Sequence, residues 1–380
     1  VGVGLVYGLG KAVAAGANFE KQMDSVGAVA DANTKQMKRL EKQALSLGQK
    51  TQYSAQEVAQ AQEALVKGGL KLKDVLGGAL PASLSLAAAG QMELADASAT
   101  TVNAMKLFGL EGNKAMQVAD MLATAANKTT ADVSDFAMAL QQGGSAAKAA
   151  GYDLNDTITI LEALAEVGIK NSDAGTSMKT AFLQLLAPTS KQAELAKKLN
   201  LEFVDQNGNL KDAAALSKEL HGALDGMTKS QQAANLKLLA GTDGFRTLNA
   251  LLAESPNQFR ELTKANAENG TANDIAKQKM DNLAGSVEQL KGALETLAIK
   301  VSAAINPALR DAVDWLTQAV TDISNIDLGS LDKSGKDVES FGQAMHNLGV
   351  AVKAAWDGFI RPVLEKMGPA IETWLKGFLR

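Results

Sequence analysis

Residues 280–301 read MDNLAGSVEQLKGALETLAIKV. Met280, Leu283, Val287, Leu290, Leu294, Leu297 and Val301 follow one another at alternating steps of three and four, the period that lines one stripe of a supercoiling helix. The pattern predicts a single long helix over Ala276–Ala304, on the order of 43 Å at a rise of about 1.5 Å per residue. Such a helix is too long to hide inside a small globule. Ala284, Ser286, Ala293 and Ala298 flank the seam, so the apolar face is broad and the charge code for partner choice is weak. An intramolecular bundle and a homo-oligomeric coil both fit. Self-association is the favoured reading, as a small homo-oligomer with a trimer first.

Upstream, from Phe19 to about Ala187, the chain reads as short helices separated by glycine. Ser54 with Glu57 forms a capping box, and the helix it opens stops at Gly68-Gly69, where a left-handed residue can close the last turn. The same punctuation is expected at Gly77-Gly78 before Pro81 and at Gly143-Gly144, and Thr129 with Asp132 is a second capping candidate. Leu154, Ile158, Leu161, Leu164 and Val167 share one helical face. Residues 201–210, LEFVDQNGNL, combine strand alternation with Asn207-Gly208, a strong hairpin signal, and predict a small β-hairpin. Asp205, Asn207 and Asn209 imitate the start of a calcium loop, but Leu210 stands where its turn needs Gly and no Glu closes it.

At the start, residues 1–17 are apolar except Lys11, with Gly4, Gly8, Ala12 and Gly16 on one stripe. Small residues at steps of four let helix backbones approach closely, in membranes above all. The segment is at the short limit of about 17 residues for a bilayer span, so a packed helix and a membrane-capable one stay open. Because the chain begins at Val1, a processed, trimmed or partial chain is expected. Beyond Pro307, residues 322–337 read as a polar linker, and residues 338–380 as amphipathic helices carrying Trp356 and Trp374 with Arg361, Lys366, Lys376 and Arg380. The expected fold is all-α: many short Gly-punctuated helices and then a long coiled-coil helix, with one β-hairpin near 201–210. The segments are an apolar helix over 1–18, a helical core region over 19–270, a long helix over 271–321, the linker, and the terminal helices.

Composition removes several chemistries. The 380 residues hold no Cys and only two His, His221 and His346, far apart, so Cys-ligated metals, disulfides and local His clusters are excluded. A net charge of -4 offers no basic field for a phosphate backbone, and no sequence-specific nucleic-acid binding is expected. The chain is Ala-rich, with six Pro and 4% aromatic residues, which favours thin, closely packed helices. Gly8-Leu9-Gly10-Lys11-Ala12 resembles a phosphate loop only superficially, because Leu5 replaces the first Gly and Ala12 the hydroxyl. No nucleophile elbow or His-x-x-x-His pair occurs. No catalytic, cofactor-binding or metal residue is assigned, no cofactor is expected, and the expectation is not an enzyme.

From Ala12 to Ala312 the order of segments resembles the core region of phage tail tape measure proteins. Phe19-Glu20 with Val26–Ala30 looks like the family's opening motif. The capped helix from Thr51 to Gly68-Gly69-Leu70, Leu84–Gly90 with Leu94-Ala95, and Phe108-Gly109-Leu110 follow in family order. Gly168-Ile169-Lys170 with Ala174-Gly175-Thr176 is the most specific block, and Asp205–Leu210 and Gly241–Gly244 complete the series. Lys179 stands where Arg is frequent, and Ala240-Gly241 where Phe-Gly is. The resemblance implies an architectural chain that sets tail tube length, fills the tube lumen, and leaves at infection to assist genome ejection through the host envelope. It implies the tail tube protein, baseplate or tail-tip hub proteins, tail assembly chaperones and, after ejection, the host inner membrane as partners. The implied location is the virion tail lumen after assembly in the bacterial cytoplasm, with a full ruler longer than this segment. The competing class, a membrane-active pore-forming helical protein, needs two long uninterrupted apolar helices, and only the borderline 1–17 segment is present.

Overall fold

The computed structural model describes residues 2–324 together with Lys353 and Arg361. The linker read over 322–337 lies outside the described residues beyond Ser324, as does the Trp-bearing stretch 338–380 apart from those two positions. Helix α1 (Gly2–Ala30) leads to α2 (Thr34–Lys50), α3 (Ala55–Lys67) and the short α4 (Leu72–Asp74). A π-helical turn over Val75–Ala79 joins it to α5 (Leu80–Gly90), followed by α6 (Leu94–Phe108), α7 (Ala115–Lys128), α8 (Val133–Ala149), α9 (Leu154–Glu166) and α10 (Asn171–Leu186). Then come α11 (Ser190–Lys198), α12 (Ala213–Leu224), α13 (Lys229–Ala253), α14 (Pro256–Asn266), α15 (Thr271–Met280) and the 42-residue α16 (Leu283–Ser324).

Short Ala-rich helices are marginal alone, and their starts are fixed locally. Among the described residues, α2, α3, α8, α9, α11, α13 and α14 each open with a reciprocal capping box. In α3 the Ser54 amide donates to Glu57 Oε2 at 2.7 Å, and the Glu57 amide to Ser54 Oγ at 3.2 Å. Each cap stabilises its helix by about 1 kcal/mol. At Thr129 the expected start is corrected. Thr129 closes α7, its hydroxyl bonded to Ala125 O at 2.9 Å, and Asp132 with Asp135 opens α8. Ends follow the glycine rule at Gly69, where φ is 93° and the Leu70 amide reaches back to Leu65 O.

Two compact units divide the chain: residues 22–292, and residues 1–21 with 293–380. In the first, α5 is buried on nearly every face and packs against α6, α7 and α15. The α10 helix packs between α8 and α13. Gly143-Gly144 does not end a helix, contrary to the expected punctuation; both lie inside α8. A β-carbon on Gly143 would sit 2.5 Å from Gly175 O of α10, so glycine here serves a helix crossing. On α9, Leu154, Ile158, Leu161 and Leu164 are buried, whereas Val167, past the helix end, is exposed. In the other unit Ala12 and Gly16 of α1 are buried, a β-carbon on Gly16 would overlap the Ser302 hydroxyl, and Glu20 pairs with Arg310.

The β-hairpin predicted near 201–210 does not form. Among the described residues there is no strand, only an isolated antiparallel bridge between Val204 and Leu210. The Asp205 carboxylate accepts the Asn207 and Asn209 amides at 2.8 and 2.9 Å, winding the chain into an Asx turn. The bridge keeps two main-chain bonds, from the Asp205 amide to Asn209 O at 2.8 Å and from the Lys211 amide to Phe203 O at 2.9 Å, while the Leu210 amide points away from it to Ala150 O at the end of α8.

Candidate functional site

The seam residues fall on two helices rather than one. α15 ends at Met280, and Asp281, at φ -75° and ψ 64°, leaves the helix. Asn282 then serves both sides of the break. Its Oδ1 accepts the Gly285 amide at 2.9 Å, as an N-cap of α16, and its Nδ2 donates to Lys279 O at 2.7 Å. The uninterrupted helix expected over Ala276–Ala304 is therefore corrected to a bend at Asp281–Asn282. From Leu283 onward α16 is longer than expected, about 63 Å at 1.5 Å per residue.

Around α16 the apolar residues form two faces. Val287 and Leu294 are 51% and 45% exposed, Leu290 and Leu297 are half-buried, and Val301 is buried. The Leu283 side chain lies outside the described residues, and Met280 is half-buried on α15. At 100° per residue, Gly292, Thr296 and Ile299 lie nearly opposite this stripe and Ala293 and Ser302 on its two flanks, and all are buried. The helix therefore packs inward with one face, and of the heptad face Val287 and Leu294 point outward, Leu290 and Leu297 are partly covered, and Val301 is covered.

Beside the bend, the first turns of α16 lie against the segment joining α2 to α3. Gln289 Nε2 donates to Lys50 O at 3.5 Å, and a β-carbon on Gly292 would stand 3.1 Å from both Gln52 O and Tyr53 O. Lys279 Nζ donates to Ala89 O at the end of α5, at 2.6 Å. A cavity of about 390 Å³ lies here, lined among others by Tyr53, Glu57, Met280 and Glu288. Burial pushes the Tyr53 hydroxyl up to about 12, so at neutral pH it stays protonated and serves as a polar lining group. Among the described residues no three of His, Cys, Asp and Glu converge as metal ligands.

The small-residue stripe is placed less completely. Gly4, Gly8, Ala12 and Gly16 all lie in α1, and Gly16 makes the close approach to Ser302. Among the described residues no single helix is long and apolar enough to cross a membrane. One bent pair, Leu72–Gly90 with Leu94–Phe108 at 116°, reaches that length and apolarity together, and its side chains form much of the core.

Two buried carboxylates had no visible signal in the sequence. Asp120 of α7 accepts the Gly270 and Ala272 amides, both at 2.9 Å, and so caps α15 from 150 residues away. Glu162 of α9 is fully buried and accepts from Asn266 Nδ2 of α14 at 2.6 Å. Glu162 Oε1 and Asn266 Oδ1 have no partner. Burial raises the Glu162 carboxyl to about 7. Both contacts join helices too distant in the chain for any spacing rule.

A family model described as phage-related minor tail protein matches residues 41–241. The tape measure protein of Pneumococcus phage Dp-1 is 33% identical over 312 residues, which cover 82% of this chain and 27% of that protein. The probable tape measure protein of Escherichia phage P2 is 28% identical over 289 residues, 75% of this chain and 35% of that protein. The chain thus spans about a quarter to a third of the length of these relatives. No solved structure matches it. With more than half of its residues matched by one family and tape measure proteins among its relatives, this chain belongs to the phage-related minor tail proteins.

Proposed function

We infer that this chain is a segment of a tail tape measure protein, an architectural component that sets tail tube length and fills the lumen during assembly. The observation that carries this reading is the match to two tape measure proteins over most of the chain. In this reading the chain has no catalytic role. Its partners are the tail tube protein, the baseplate or tail-tip hub and the assembly chaperones, and release at infection assists DNA passage through the host envelope. The core packing of residues 22–292 makes that unit a poor ruler, because buried helices add little end-to-end length. Measured length is better carried by extended helix, of which α16 is the example in this chain.

Duplicating Leu283–Ser324 in place tests this in the phage or prophage that encodes the chain. Its 42 residues are a whole number of seven-residue repeats, so the heptad phase is kept. Tails are expected to lengthen by about 63 Å, at 1.5 Å per residue, in electron micrographs. Particles with tails of unchanged length would remove this segment from the ruler.

The outward heptad face supports a second part of the reading, that copies associate through Val287, Leu290, Leu294 and Leu297. Leu290→Asp with Leu294→Asp places charge at two seam positions, and is expected to leave a monomer of unchanged helicity under conditions where the wild type is a small oligomer. Sedimentation velocity with circular dichroism reads this out. Equal oligomeric states in both chains would rule the seam out as the contact.

A further inference from the structure

The bend at Asp281–Asn282 interrupts a seam whose register runs straight through it. Met280 to Leu283 is a step of three and Leu283 to Val287 a step of four, as in the later repeats. No proline stands at the bend, and Asp281 keeps a negative φ, so the backbone there is free to continue as helix. What holds the bend is a set of local contacts. They are the two-sided cap of Asn282, Lys279 on Ala89 O, Gln289 on Lys50 O, and Gly292 against the carbonyls of Gln52 and Tyr53. Gly285 is required by the bend itself, since a β-carbon there would overlap Met280 O. In a straight helix that position has no such neighbour, because the carbonyl of residue 280 then points along the axis to residue 284.

We propose that the Asp281–Asn282 bend is a latch that opens when this chain associates with a second copy of itself. In the single chain α15 and the first turns of α16 are held bent. On association they join into one helix from Thr271, and Met280 and Leu283 enter the same seam as Val287, Leu290, Leu294 and Leu297. The second copy is the occupant that fits. The seam is self-complementary in its spacing, its flanking positions are Ala284, Ser286, Ala293 and Ala298 with Lys291 and Lys300 as their only charges, so no alternating charge code selects a different partner, and Val287 and Leu294 are left exposed only while the seam is unpaired. Straightening exchanges the Asn282 caps and the carbonyl contacts for main-chain helix bonds and two further seam layers. The latch rests on the seam being the self-association surface, and the experiment separates the two.

The test uses the 380-residue chain, sedimentation velocity over a concentration series, and circular dichroism. Gly285→Ala overpacks the bend against Met280 O at a cost of about 1–3 kcal/mol, while position 285 is helical in both forms, so the continuous helix gains about fivefold or more per chain. Its association midpoint is expected at least about fivefold below that of the wild type. Leu283→Pro acts in the opposite sense. Proline is accepted at the first position of α16 but blocks a continuous helix, because it lacks the amide and clashes with the carbonyl of Lys279. Leu283→Pro is therefore expected to stay monomeric at concentrations where Leu283→Ala, which loses the same seam side chain, still associates. Helicity near that of the wild type confirms that each variant is folded. If wild type associates and the double Asp chain does not, yet Gly285→Ala and Leu283→Pro match their controls, the latch is overturned and the seam stands. If neither wild type nor Gly285→Ala associates, seam and latch fall together.

Discussion

Gly175→Leu is expected to lower the melting temperature of the chain by about 6–20 °C, or to abolish its cooperative transition. Gly175 lies where α10 crosses α8. A β-carbon on it would overlap the Ala139 carbonyl oxygen and stand 2.8 Å from Gln142 Cβ, and one on Gly143 would stand 2.5 Å from Gly175 O. These neighbours are main chain or, at Gln142, the Cβ fixed to it, so no rotamer change relieves the clash and the helices must separate. The separation spreads, because α10 also carries Ala181 against Gly244 of α13, where a β-carbon would be 2.9 Å from Ala181 Cα. Phe136, Met178 and Phe182, all buried at this junction, would lose contacts on one side. Overpacking alone costs about 1–3 kcal/mol, and the forced opening of a helix pair brings the total to about 3–5 kcal/mol, a large share of a typical stability. At about 2–4 °C per kcal/mol this gives the expected shift. Gly144→Ala is the control. Its β-carbon would meet only the tip of the Leu107 side chain, which can turn away, so a change of no more than a few degrees is expected. Calorimetry on both variants decides, and a Gly175→Leu melt within about 3 °C of wild type would contradict the crossing geometry.

The same glycines show what the sequence can and cannot reveal. Ser54-Glu57, the Gly68-Gly69 stop and the amphipathic face of α9 were legible because each depends on residues within one or two turns. Gly143-Gly144 has the composition of a helix stop but forms the inside of a helix, because the deciding contact is with Gly175, in another helix. Asn207-Gly208 carries a hairpin signal, yet the Asp205 carboxylate takes the Asn207 and Asn209 amides into an Asx turn, and only the single Val204–Leu210 bridge remains. The seam was legible as a period, while its bend was not, since Asp281 and Asn282 break no helix rule by themselves. Lys279, Gly285 and Gly292 hold the bend through carbonyls of Ala89, Met280, Gln52 and Tyr53, and an apolar pattern carries no record of carbonyls. Glu162 and Asp120 were invisible for a related reason. A carboxylate on a helix reads as a solvated face until the helix that covers it, α14 or α15, is in place.

Glu162→Gln is expected to stabilise the chain by about 3 kcal/mol at pH 8 and by no more than about 1 kcal/mol at pH 5. Glu162 is covered by α14, and its carboxyl rises from an ordinary value of 4.5 to about 7, first through burial. The Asn266 hydrogen bond and the charge of Lys128 act against the rise, and Glu166 adds to it. Below about pH 4.5 the group is protonated whether the chain is folded or not. Between about 4.5 and 7 the unfolded chain gives up the proton first, so stability falls as pH rises, and above the folded value the loss is complete. A difference of about two and a half units is worth about 3 kcal/mol, or about 6–12 °C in melting temperature. Asp156, raised to about 6 by burial and by Asp153 beside it, slopes the wild-type curve the same way at lower pH. Glu63, lowered chiefly by its hydrogen bond from Lys67, slopes it the opposite way on the acid side. The comparison of Gln with Glu at position 162 cancels both. Gln keeps an oxygen for Asn266 Nδ2 and is neutral at every pH, so the variant removes the ionisation and keeps that hydrogen bond. Melting curves at pH 5, 6, 7 and 8 should therefore diverge, with the variant rising above wild type from about pH 5 and most of the gap open by about pH 7. Parallel curves would mean that Glu162 ionises as freely folded as unfolded, and that α14 does not seal it from water.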